Sequence, residues 1–95
     1  MSAYIIVQIN IINKVEYKEY LNKVTPIAEK FGGEYIVRGG KYEILSGSWD
    51  FSRTVIIKFK NYNIAMNWYN SKEYAPIRKI REENSEGNLI IIEGL

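Results

Sequence analysis

Cysteine and histidine are both absent from this 95-residue chain. Their absence excludes disulfides, thiolate nucleophiles, imidazole bases, a Ser-His-Asp triad, and the usual zinc, copper and haem ligand sets. No metal centre is expected. Proline occurs twice, and the sole aspartate is Asp50. Apolar runs such as Ile5-Ile6-Val7 and Ile90-Ile91-Ile92 fall far short of the ~20 residues that span a bilayer, so no membrane association is expected. Met1-Ser2-Ala3-Tyr4 opens no signal-peptide pattern, which makes a cytoplasmic location the expectation. Neither a G-x-x-x-x-G-K-[ST] phosphate loop nor a G-x-G-x-x-G fingerprint occurs, and no cofactor is expected.

What is present is a globular composition: 46% apolar and 14% aromatic residues, with 13 basic and 11 acidic residues giving a net charge of +2. That length predicts a single domain over residues 1–95. Ile, Asn, Lys and Tyr are abundant, as an AT-rich gene would produce. Where charge alone suffices the chain uses Lys, so Arg38, Arg53, Arg78 and Arg81 mark places that suit a planar guanidinium fork.

Residues 3–11 alternate as a strand, with Ala3, Ile5, Val7, Ile9 and Ile11 on one face and Tyr4, Ile6, Gln8 and Asn10 on the other. Asn13 followed by Glu16 reads as a helix cap, and Val15, Tyr17, Tyr20, Leu21, Val24, Ile27, Ala28 and Phe31 continue at helical spacing to Gly32-Gly33. A strand is predicted over 34–38, then a Gly39-Gly40 turn, then 41–45 as a continuation or a second short strand. Arg53 to Phe59 alternates as a strong strand. Asn61 caps a helix to about Asn70, Ser71 caps a further helical stretch through Arg81, 82–88 reads as a polar turn and 89–93 as the last strand. The order is that of a ferredoxin-like βαββαβ α+β fold, with helices on one face of an antiparallel sheet. The other face would carry Tyr4, Ile6, Gln8, Thr54, Ile56 and one side of 89–92. Leaving that much apolar surface wet is unfavourable, and a second copy of the sheet would cover it as a homodimer.

The chain resembles a bacterial family known only as a domain of unknown function, DUF1330, within the dimeric α+β barrel superfamily. The resemblance spans nearly the whole length. It rests on Gly32-Gly33-x-Tyr35, Arg38-Gly39-Gly40, Gly47-x-Trp49, Arg53, and Trp68-Tyr69-x-Ser71-x-Glu73-Tyr74 followed by Arg81. The family often has proline where this chain has Lys60 and Lys72. Both differences fall at helix caps. The resemblance implies ferredoxin-like subunits paired into a barrel, as in cofactor-free antibiotic-biosynthesis monooxygenases and small lactone isomerases. It implies no activity.

Candidate site residues follow from chemistry. Arg38, at a strand end beside two glycines, could clamp a carboxylate or enolate, or pair with Glu34 or Glu43 in a plain turn. Trp49 could form an aromatic lid next to Arg53, or plug its loop onto the core or the dimer seam. Tyr69 and Tyr74 are amphipathic and could turn hydroxyls into a cleft, whereas Trp68 is expected in the core. Arg81 could enter the cleft or bind carbonyls at its helix end. Tyr4 and Gln8 would line the space between paired sheets, or simply make interface contacts. Without imidazole, bases are limited to Tyr, Lys, Arg and carboxylates, with Glu34, Glu43 and Glu73 candidates by elimination. Residues 38–81 hold nine basic against three acidic residues, yet Arg53–Phe59 lacks the stacking pattern of an RNA-recognition strand, so no nucleic acid partner is expected. The leading expectation is a homodimer that binds a small anionic or aromatic organic molecule in the cleft between the sheet and the second helix, with Arg38, Arg53 and Arg81 supplying positive charge, Trp49 a lid, and Tyr4, Gln8, Tyr69 and Tyr74 the walls and hydroxyls. Cofactor-independent oxygenase or isomerase chemistry is compatible with it. The alternative is a structural or interaction dimer with no ligand.

Overall fold

Alternation along the first strand sets the architecture of the computed structural model, which describes residues 1–95. In β1 (Ala3–Ile11), Ala3, Ile5, Val7 and Ile9 are all buried, while Tyr4, Ile6, Gln8 and Asn10 are half-buried on the opposite face. The helix α1 (Lys14–Lys30) begins where Asn13 Oδ1 accepts the Glu16 N–H at 3.1 Å. It presents Tyr17, Tyr20, Val24 and Ala28 to the sheet. Pro26 lies inside it, so the Asn22 carbonyl lacks its helical donor. Gly32, at φ +82°, ends the helix, and Gly33 must be small because a Cβ there would lie 2.9 Å from the Ala28 carbonyl and the Phe59 ring.

The strands β2 (Glu34–Arg38), β3 (Arg53–Phe59) and β4 (Ser85–Glu93) complete an antiparallel sheet in the order β2-β3-β1-β4. Helices α2 (Tyr62–Tyr69) and α3 (Ala75–Asn84) join α1 on the helix side. This is the ferredoxin-like arrangement that the sequence predicts. The Asn61 cap forms, its Oδ1 accepting the Ile64 N–H at 2.9 Å. Ser71 Oγ donates to the Trp68 carbonyl and accepts the Tyr74 N–H, which bends the chain between α2 and α3. Pro76 falls in the first turn of α3, where a missing N–H costs nothing.

Three local features depart from the sequence reading. First, residues 41–45 form no strand: after Gly39, at φ +68°, the chain leaves the sheet, and the backbone of residues 40–51 makes no hydrogen bond to other backbone. Second, the polar stretch 82–88 is not a turn. Its first part finishes α3, and Ser85 to Asn88 pair with Ile11 to Gln8, so β4 starts four residues earlier than the apolar run suggests. Gly87 permits this, since a Cβ there would approach Ile9 Cα to 2.7 Å. Third, β2 carries a bulge between Tyr35 and Val37: Tyr35 opposes Ile57, Val37 opposes Ile56 and Arg38 opposes Val55.

On the helix side the core is dominated by Trp68, Tyr74 and Phe59, with the Trp68 and Tyr74 rings stacked at 4.3 Å. On the other side, Val37, Ile56, Ile6 and Ile90 stand opposite one another across all four strands and remain only partly covered.

Gly87→Ala should lower the unfolding free energy by about 3 kcal/mol because β1 cannot retreat from the new methyl. Gly40→Ala, with nothing within 4 Å of the added carbon, should stay close to neutral. Denaturant titration of the two variants checks the contrast.

Candidate functional site

The β2 bulge determines where the site lies. In a regular strand, Tyr35 and Arg38 are an odd number of residues apart and would face opposite sides. The extra residue turns both to the helix side, with the Arg38 guanidinium carbon 3.9 Å from the centre of the Tyr35 ring. A cavity of about 260 Å³ opens there, roughly nine waters' worth of liquid volume. Its floor is Val7, Val55, Ile57 and Leu89 of the sheet. The α1 residues Tyr17, Tyr20, Leu21 and Val24 cover it, Trp68 and Tyr74 close one side, and Arg38, Arg53 and Arg81 supply its charge.

These three guanidiniums have no carboxylate within 4.0 Å, for the chain's ion pairs are Lys23–Glu19, Lys30–Glu73 and Arg78–Glu82. Arg81 is only 8% exposed. Arg53 packs its guanidinium over Gly39, where an added Cβ would displace it and where the φ of +68° favours glycine. Four buried side-chain donors find no acceptor in the protein, and three of them, Arg53 Nε, Trp68 Nε1 and Arg81 Nε, belong to cavity-lining residues. The fourth, Arg78 Nε, has Glu82 at 3.8 Å. Buried donors without acceptors are rare and costly in folded proteins.

The tyrosines are held neutral. Burial pushes Tyr17 up to about 12 against the opposing pull of Arg53 and Arg81, and pushes Tyr35 up to about 12 with Thr25 and Arg38 acting against it. Tyr20 and Tyr74 share a hydrogen bond at 2.8 Å between their hydroxyls. Burial raises both of them, and for Tyr20 the Tyr74 partner adds to the rise. Burial works against the Arg81 charge, while attraction to Tyr74 and Tyr20 once they ionise at high pH raises its pKa, so Arg81 is charged at neutral pH. The cavity therefore offers hydrogen-bond donors and positive charge. No carboxylate or lysine lines it: Glu73 is paired with Lys30 at 2.9 Å, Glu43 lies on the far side of the sheet and Glu34 is exposed.

Of the residues singled out from the sequence, Arg38, Arg53, Tyr74 and Arg81 come together here. Tyr69 sits next to them without lining the cavity, its ring 5.9 Å from that of Tyr74 and 5.0 Å from the Arg78 guanidinium. Tyr4 and Gln8 lie on the other face of the sheet, opposite Lys58 and Thr54. Trp49 also lies on that side, donating from Nε1 to Thr54 Oγ1 at 3.0 Å and bordering a second hollow of about 570 Å³ with Tyr42, Ile44, Val37 and Ile56. Sequence reasoning missed Tyr17, Tyr20 and Tyr35 as cavity residues. Their spacing signals burial, and burial alone does not separate core from cavity wall.

Residues 2–95 match the model of the family described as a domain of unknown function, DUF1330. The chain belongs to this family. No curated protein matches the DUF1330 chain. Among solved structures it is similar to RPA0582, a protein of unknown function from Rhodopseudomonas palustris, at 17% identity over 99% of this chain and 82% of the other, with a TM-score of 0.75. SnoaB, a cofactor-independent oxygenase from Streptomyces nogalater, matches at 6% identity over 99% and 93%, with a TM-score of 0.68. A dimeric protein of unknown function and ferredoxin-like fold from Bacteroides fragilis matches at 15% identity over 98% and 96%, with a TM-score of 0.56. At these identities the likeness is one of fold.

The tyrosine environment predicts an alkaline transition. An unfolded tyrosine releases its proton near pH 10, whereas folded Tyr17 keeps it to about 12, so stability is intact below pH 10 and declines as pH rises from 10 to 12. The Tyr17 contribution alone is on the order of 2–3 kcal/mol. Denaturant unfolding followed as a function of pH, with Tyr17→Phe flattening the decline, checks it. Tyr20→Phe and Tyr74→Phe should each cost about 1–2 kcal/mol by stranding the other hydroxyl, and the double variant should cost less than their sum.

Proposed function

We propose that this DUF1330 chain binds a small aromatic or enolic organic anion in the cavity beneath α1, with Arg38, Arg53 and Arg81 taking its charge. The observation that carries this reading is the set of three guanidiniums around a partly open cavity with no carboxylate among its lining residues. A charge as buried as Arg81 is costly without a counter-ion, and a bound anion supplies one. Apolar sheet residues below and tyrosine and tryptophan rings above suit the flat carbon frame of an aromatic ligand. A purely structural dimer would have no use for the space, which a few larger side chains could fill.

Cofactor-independent chemistry fits the same groups. An electron-rich carbanion held there can add dioxygen to give a peroxide anion, which a solvent proton converts to a hydroperoxide, or take its proton back at a different carbon, the oxygenase and isomerase outcomes. The similarity in fold to an oxygenase described as cofactor-independent supports the first of these.

Pairing of two copies through the outer sheet face belongs to this reading. The Val37-Ile56-Ile6-Ile90 stripe and the exposed Ile36 and Ile92 would otherwise stay in water, and a fold relative is described as dimeric. Tyr4, Gln8 and Trp49 would then lie at the seam.

In a thermal-shift screen against organic acids, phenols, quinones and lactones, a saturating ligand should raise Tm by on the order of 10 °C. Arg38→Ala should remove most of that rise, weakening affinity about 10- to 100-fold with little loss of stability, because Arg38 is exposed. Silence across the panel would favour the structural dimer. Sedimentation at micromolar concentration should show twice the chain mass, and Ile6→Lys should give the monomer.

A further inference from the structure

A cavity rich in cations and lacking any base restricts what can react inside it. Enolate or phenolate chemistry requires the ligand to lose a proton, and each element around the site has a fixed contribution to that step. From α1 come Tyr17 and Tyr20, from β2 Tyr35 and Arg38, from β3 Arg53, and from the α3 end Tyr74 and Arg81. The strands β1 and β4 and the helix α2 add only Val7, Leu89 and Trp68. None of these groups is a proton acceptor at neutral pH: the guanidiniums are always protonated, and the tyrosines keep their protons in this environment. Glu29 of α1 acts on Tyr35 without lining the cavity, and the glutamates considered as bases lie elsewhere.

Resting on the ligand-binding reading above, we propose that the ligand is itself a weak acid, a phenol or a 1,3-dicarbonyl enol, which the three arginines hold as its anion while its proton passes to solvent. The arginines play the part of a base indirectly, by favouring the ionised ligand. Opposite charge within about 4–6 Å lowers an acid's pKa by roughly one to three units. The wall tyrosines stay neutral because burial outweighs that pull on them; a ligand differs in that its oxyanion can accept from the unfilled donors Arg53 Nε, Arg81 Nε and Trp68 Nε1, and hydrogen bonds to the charged form favour ionisation. Simple ketones and esters are far weaker acids and lie outside this reach, so they are excluded as reacting groups. The unfilled donors match the same ligand: Arg53 Nε, Arg81 Nε and Trp68 Nε1 are buried, have no protein acceptor and belong to residues that border the space. An apolar floor suits a delocalised oxyanion, which sheds its hydration more readily than a phosphate. No bond to the protein forms, and the balance is one O–H proton released for one oxyanion bound.

The test uses 4-nitrophenol, whose anion absorbs visible light and whose neutral form does not, titrated with pH in the presence of excess purified protein. The bound dye should show an apparent pKa about one to three units below that of the free dye. Arg81→Gln and Arg38→Gln should each shrink the difference, and the exposed position of Arg38 makes its variant the one sure to fold. A bound pKa equal to or above the free value overturns the proposal, as does a lowered value that survives both substitutions. Benzoate, already ionised at neutral pH, separates the two levels of the argument in thermal melts. Stabilisation by benzoate with no binding of nitrophenol rejects the weak-acid class and leaves anion binding intact; no binding of either rejects both.

Discussion

Everything in this fold depends on β1 being hydrogen-bonded on both sides along its length. Its residues pair with β3 from Ala3 to Ile9 and with β4 from Ala3 to Ile11, so the strand cannot slip without breaking two ladders together. One face, Ala3, Ile5, Val7 and Ile9, is thereby committed to the helices, and the other, Tyr4, Ile6 and Gln8, to the outside. The cavity floor and the isoleucine stripe are the two faces of that one commitment.

The helix layer adds a rigid aromatic wall. Trp68 and Tyr74 stack, Tyr20 reaches Tyr74 through its hydroxyl, and Phe59 lies 5.5 Å from Trp68, so α1, α2, α3 and β3 are tied at one place. Lys30 and Glu73 add an exposed ion pair between the end of α1 and the α2–α3 turn, worth little by itself. Beyond this wall the packing is left open, and the open volume collects the unpaired arginines. A structure that buries Arg81 without a carboxylate gives up stability there, as sites of binding and chemistry commonly do.

Much of this was legible in the residues. Period-2 alternation in 3–11 and 53–59, the Asn13 and Asn61 caps and the Gly32-Gly33 stop give element order, and element order gives the fold. Arg38, Arg53 and Arg81 stand out against a lysine-rich background. The grouping of sites was less legible: Tyr4, Gln8 and Trp49 were set with residues from which the sheet separates them, because strand alternation says which residues share a face and not which face holds a cavity. Ser85 to Asn88 looks like a turn by composition, and only pairing with β1 makes it strand. The 41–45 segment has the alternation of a strand but lacks a neighbour within the chain to bond with.

The bulge at Ile36 carries a consequence of another kind, one for how such a family diverges. Removing Ile36 would leave Tyr35, Val37 and Arg38 opposite Ile57, Ile56 and Val55 as before, whereas a regular ladder that kept Ile36 would turn Arg38 from the helix side to the outer face. A positive charge would pass from the cavity to the surface where two copies are proposed to meet. Among relatives of this chain, then, whether the bulge forms for a given strand length decides which face the arginine serves, so strand length and bulge have to be read together.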